Sequence, residues 1–208
     1  MPFRSVLRSL KDSRDGQLTL NFRLDAEPAR IIKLRPKPVR ELVVASGERQ
    51  PSAAAASTLA EECFLKASEL DNGDDTTLEE AASWYRRALE VDPYLVAALI
   101  NLANIHYARD ELAEAQALYE RAIGLESDFF EAHFNLGNIY HDLGRYNEAQ
   151  ACYKEALRLN PFYADTHFYL AVTLEKMGLS ADARPHWRAY QQLAPQAEWV
   201  ELAKEFSE

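Results

Sequence analysis

The chain has 208 residues, a net charge of −10 and two cysteines, Cys63 and Cys152, that form no metal or redox motif. Its length suffices to bury a sizeable core, and no run of about 18 apolar residues suggests a membrane span. The Met1–Arg8 stretch lacks the apolar segment of a secretory signal, and the cysteines read as free thiols of a reducing, cytoplasmic setting.

Charge divides the chain. Residues 1–50 carry 11 Lys and Arg against 6 Asp and Glu, whereas residues 51–208 carry 12 against 27. An excess of +5 followed by one of −15 points to two physical roles. In the basic arm, Phe3, Val6, Leu7 and Leu10 have helical spacing and Asp15-Gly16 marks a turn. Gln17–Leu24 alternates as a half-buried strand would, and Ile31-Ile32 and Val43-Val44 are seeds of two further strands, interrupted by Pro28, Pro36 and Pro38. The arm reads as a small β-rich segment, as a basic tail for acidic partners or nucleic acid, or as a strap on the chain's own acidic part. No complete helix-turn-helix is present, so DNA reading by this chain alone is not expected. Residues 51–57 read as a linker, with Ala53–Ala56 open to continuing into the first helix.

From residue 58 a period of 34 takes over. Ala81, Ala115, Ala149 and Ala183 form one column, and four residues after each stands Tyr85, Tyr119, Tyr153 or Trp187. Ala88, Ala122 and Ala156 follow, with Tyr190 in the fourth place; Pro93, Pro161 and Pro195 close three units. The first half of each unit repeats as Leu102-Ala103, Leu136-Gly137 and Leu170-Ala171. Asp110, Gly144 and Gly178 mark the turn inside the unit, where a left-handed backbone must end a helix. Small residues let two helices approach, and the aromatic fills the space beside them. The first unit departs from the period. Ala67 lies 36 residues before Ala103, with the excess in the polar turn Asp71–Thr77, and Thr77-Leu-Glu-Glu80 reads as a capping box.

These columns resemble the tetratricopeptide (TPR) repeat, W-x2-L-G-x2-Y…A-x3-F…P. The resemblance implies an all-α, right-handed solenoid of about four helix-turn-helix units, at 58–95, 96–129, 130–163 and 164–195. A capping helix follows at 196–208, where Trp199, Leu202, Ala203 and Phe206 share one face.

The resemblance also implies a concave surface lined by the first helix of each unit. Asn101, Asn104 and Tyr107 fall there in the second unit, Phe134, Asn135, Asn138 and Asp142 in the third, and Phe168, Tyr169 and Glu175 in the fourth. A side-chain amide offers a donor and an acceptor to a peptide backbone of any sequence. Phe134, Phe168 and Tyr169 are apolar anchors, and the acids favour basic ligands. The expected role is an adaptor or scaffold holding an extended peptide that is basic or apolar, or the chain's own arm; pairing with a second copy stays open. An accessory subunit of a nucleic-acid-associated or transcriptional regulator, acting through the arm, is the alternative.

No phosphate loop, nucleophile elbow or HExxH motif occurs, so neither catalysis nor a cofactor or metal is expected. His133 and His167 share a column a whole unit apart, too far to ligate one ion.

Overall fold

The computed structural model describes residues 53–72 and 75–207, and the expectations for residues 1–50 lie outside them. The described residues are helical throughout, without strands. They fall into two compact units, one ending at Asp128 and the other starting at Phe129.

The first unit contains α1 (Ala53–Leu70), α2 (Asp75–Val91), α3 (Val96–Ala108) and α4 (Leu112–Leu125). α1 packs on α2, α2 on α3, and α3 on α4. The second contains α5 (Phe130–Asp142), α6 (Tyr146–Leu159), α7 (Ala164–Lys176), α8 (Ser180–Leu193) and α9 (Val200–Ser207), again packed in chain order as α5 on α6, α6 on α7, α7 on α8 and α8 on α9. Each helix-turn-helix hairpin is therefore a tetratricopeptide-like pair, as the period requires.

The turn inside a hairpin is the same in three places. Asp110, Gly144 and Gly178 have φ of 63°, 71° and 73°. The amide after each donates across the helix end: Glu111 to the His106 carbonyl at 3.0 Å, Arg145 to Tyr140 at 2.8 Å and Leu179 to Leu174 at 2.9 Å. This is the bond that satisfies the last carbonyls when a residue turns left-handed. Two links between hairpins are also alike, with the Asp92 carboxylate accepting from the Tyr94 amide at 3.0 Å and the Asn160 side-chain oxygen from the Phe162 amide at 3.3 Å. These Asx turns redirect the chain after a helix.

The small-against-aromatic packing is literal. Ala81, Ala115, Ala149 and Ala183 are fully buried, as are Tyr85, Tyr119, Tyr153 and Trp187. A Cβ built on Gly137 would meet Tyr153 Cε1 at 2.6 Å, so that pair approaches closer than alanine allows. The capping box is corrected. α2 already begins at Asp75, and the Thr77 hydroxyl donates back to the Leu70 carbonyl at 2.7 Å, closing α1 instead of opening α2. α1 begins at Ala53, so the segment read as a linker runs into the first helix.

α9 covers the end of its unit. Val200, Leu202 and Ala203 are buried, Phe206 lies 5.7 Å from the Trp187 ring and Trp199 lies 6.2 Å from Phe168. The Gln191 amide donates to the Ser207 hydroxyl at 2.9 Å and fixes the helix along α8.

Candidate functional site

The expected site residues lie on α3, α5 and α7, the first helices of their hairpins. On α3, Asn101 is fully buried and its Nδ2 donates to the Tyr85 hydroxyl at 3.1 Å. That hydroxyl donates to Asp71 at 3.2 Å. Burial raises the Asp71 carboxyl pKa and the bond from Tyr85 opposes the rise. Three side chains from three helices or their ends thus form one polar chain inside the unit. Asn104 lies one turn further, and its Oδ1 accepts from the Tyr119 hydroxyl. Tyr107 is half-buried at the end of the same face.

On α5 the pattern recurs. Asn138 Oδ1 accepts from the Tyr153 hydroxyl at 2.8 Å, and Asn135 is buried one turn before it. Asn104–Tyr119 and Asn138–Tyr153 are the same bond in two repeats, spanning 15 residues each. The amides therefore do not present a free donor and a free acceptor together: the acceptor is spent on the tyrosine of the second helix. Asp142 is exposed at the far end of α5. The Phe134 ring meets Tyr163 at 5.2 Å and Tyr169 at 5.5 Å, both edge to face.

On α7 the asparagine columns end, with Tyr169 in place of the first amide and Val172 in place of the second. Tyr169 is half-buried. Burial, then the charges of Asp165 and Asp142, raise its hydroxyl pKa. Phe168 is corrected from surface anchor to core: it is 3% exposed, ringed by Trp187 at 5.5 Å, Tyr190 at 5.1 Å and Trp199. Its neighbours are the residues by which α8 and the capping segment close the unit, so it has little surface to offer. Glu175 is also tied inward, accepting from the Ser180 hydroxyl and from Trp187 Nε1 at 3.3 Å.

The TPR repeat profile matches residues 103–144 and 137–178. The chain contains tetratricopeptide repeats. Solved tetratricopeptide structures superpose on it at identities that speak to fold alone. MamA matches at 17% identity and a TM-score of 0.60, over 69% of this chain and 87% of that one. A tetratricopeptide repeat protein from Parabacteroides merdae matches at 19% and 0.63, over 72% and 59%. The first TPR of Spaghetti (RPAP3), bound to an HSP90 peptide, matches at 20% and 0.56, over 59% and 95%. No curated protein sequence matches.

Two features of these repeats escape the motif columns. Leu95, Phe129 and Tyr163 precede α3, α5 and α7 at the same period, and the last turns its ring toward Phe130 at 5.0 Å and Phe134. The 34-residue spacing of these three large side chains carried that signal. His167 and His186, from the two helices of one hairpin, meet with their Nδ1 atoms 3.0 Å apart. No sequence spacing announces this pair, because their 19-residue separation is set by the hairpin's packing. Among the described residues no three His, Cys, Asp or Glu side chains converge as metal ligands, and no helix is long and apolar enough to cross a membrane.

Proposed function

We propose that this protein is a non-catalytic adaptor that holds an extended segment of another polypeptide on the first-helix faces of its tetratricopeptide hairpins. The observation that carries the reading is the repeated asparagine–tyrosine bond. The Tyr119 and Tyr153 hydroxyls hold the Oδ1 atoms of Asn104 and Asn138, which fixes each amide in one orientation and directs its Nδ2 side away from the tyrosine. An amide held in one orientation presents a fixed hydrogen-bonding edge, and an extended segment offers backbone groups to such an edge at regular intervals. The HSP90 peptide bound to the Spaghetti (RPAP3) domain is a precedent for this fold holding a peptide. The acidic balance of residues 51–208 favours a basic segment over an acidic one.

The test has two arms. Partners are recovered from native cells by affinity purification, their bound segment is mapped, and its affinity is measured by titration. Replacing both amides, Asn104→Ala with Asn138→Ala, is expected to weaken binding by about 2 kcal/mol or more. Tyr119→Phe with Tyr153→Phe keeps both amides and loses only their orientation, so its effect is smaller. Unchanged affinity in the double asparagine variant sinks the reading. The arm at 1–50, with its excess of +5, is a competitor of suitable charge for the same acidic surface, and deletion of it then raises the partner's affinity.

A further inference from the structure

We propose that His167 and His186, which meet between the two helices of the last hairpin, form a two-imidazole site for a divalent transition-metal cation of the zinc type. The site is independent of the polypeptide-holding faces. It departs from the expectation of no metal, which rested on absent motifs and on His133 and His167 standing a whole unit apart. The companion of His167 is His186, brought to it by the packing of α8 on α7.

The first observation is distance. The two Nδ1 atoms lie 3.0 Å apart, with ring centres at 5.3 Å and planes inclined by 33°. Two nitrogens each about 2.0–2.1 Å from a zinc ion at the tetrahedral angle stand about 3.3 Å apart. The pair therefore has to open by only about 0.3 Å to chelate an ion, with each ring turning about a torsion whose wells are broad. Both rings are half-buried, so packing holds them while solvent reaches them.

The second is the hydrogen bonding around the pair, which fixes the tautomers. His167 Nε2 lies 3.1 Å from the Pro161 carbonyl oxygen. A carbonyl only accepts, so Nε2 carries the proton and Nδ1 keeps a lone pair. The bond between the two rings then takes its hydrogen from His186 Nδ1, and His186 Nε2 holds the other lone pair. A histidine that donates one ring N–H to a backbone carbonyl and turns its second nitrogen to a ligand position has the arrangement found around bound metals. A cation entering between the rings replaces the shared proton. That proton leaves His186 Nδ1 and returns through water to His186 Nε2, so both Nδ1 atoms ligate and no net proton is released.

The third is the charge state. Burial, then His167 and Lys154, lowers the His186 pKa to about 4, against the opposing pull of Asp182. His186 is thus neutral at neutral pH, as a ligand must be. Lys154 of α6 and Asp182, one turn before His186 on α8, bring one charge of each sign. Affinity therefore comes from the nitrogen donors, which suit Zn²⁺, Cu²⁺ and Ni²⁺ and not Mg²⁺ or Ca²⁺. Among the described residues no third protein ligand converges on the pair, so water completes the coordination and the ion is exchangeable. Bound there, it clips α7 to α8.

The untagged full-length chain, freed of metal with a chelator and labelled with ¹⁵N, is titrated with ZnCl₂ at neutral pH. One saturable event is expected. In it the Nδ1 resonances of His167 and His186 move, while those of the other three histidines, His106, His133 and His141, stay in place. His167→Gln and His186→Gln are each expected to weaken Zn²⁺ binding more than about tenfold. Zn²⁺ should also raise the urea midpoint of the native chain and not that of either variant, whereas MgCl₂ and CaCl₂ leave all three unchanged. If a variant does not fold, the imidazole shifts of the native chain decide the matter by themselves. Absence of saturable Zn²⁺ binding overturns the site. So does binding that leaves the two Nδ1 resonances unmoved or that survives both substitutions. None of these results touches the adaptor reading, which is tested at Asn104 and Asn138.

Discussion

The unit ending at Asp128 and the unit starting at Phe129 use one hairpin and fill it differently. Both carry the asparagine–tyrosine bond and the left-handed turn. The first unit extends its polar side into the core, where Asn101, Tyr85 and Asp71 form a buried chain. The second turns aromatic. Phe130, Phe134, Tyr153, Tyr163, Phe168, Tyr169, Trp187, Tyr190, Trp199 and Phe206 form a continuous set of ring contacts. It also half-buries His141 and His186. The repeat fixes backbone and small-against-large packing, and the columns it leaves unconstrained decide whether a unit is held by amides or by rings.

The largest expected effect breaks the aromatic unit at its centre. Trp187 is fully buried against Phe168 and Phe206 and donates to Glu175. Trp187→Ala should cost about 3–5 kcal/mol, read as lost amide-exchange protection across α5–α9.

Acid should separate the units next. Burial, then Lys176, pushes the His141 pKa from 6.5 down to about 4, and burial, then His167 and Lys154, does the same for His186 against the opposing pull of Asp182. Both folded values lie below the unfolded one. The unfolded chain therefore takes up protons first as pH falls, and stability present above pH 6.5 is lost on the way to pH 4. The His141 contribution is about 3 kcal/mol at the low end of that window, and that of His186 is smaller because water reaches part of it. Urea midpoints for α5–α9 should drop between pH 7.5 and 5.0, with His141→Gln flattening the drop. A midpoint indifferent to pH in that range refutes the assignment.

The smallest effect sharpens the comparison at one column. Gly137 and Ala103 are equivalents, but only Gly137 has its tyrosine too close for a Cβ. Gly137→Ala should destabilise by about 1–3 kcal/mol through the displaced Tyr153 ring, although alanine is the better helix former. Ala103→Gly should cost about 1 kcal/mol, the ordinary helix penalty. Thermal melts of the two variants give both numbers, and a stabilising Gly137→Ala contradicts the close approach.

Much of the fold was legible because each tetratricopeptide hairpin repeats local decisions. Small residues at 34-residue intervals, an aromatic four further on and a left-handed turn residue need only the helix period to be read. The candidate site was legible as a set of positions on α3, α5 and α7, but not as a set of roles. Asn104 and Asn138 looked like open amides until the tyrosines 15 residues later claimed their acceptors. Phe168 looked like an anchor until Trp187, Tyr190 and Trp199 enclosed it, and the 34-residue column containing Tyr163 lay just outside the helices that drew attention.

The sequence alone determined where each helix turns, which faces pack and that the acidic part of the chain is a series of tetratricopeptide hairpins, because those depend on neighbours within one period. Only the tertiary structure decided which polar groups are spent and which rings are half-open, because a hydrogen bond or a ring contact joins side chains whose separation along the chain is set by how two helices lean together.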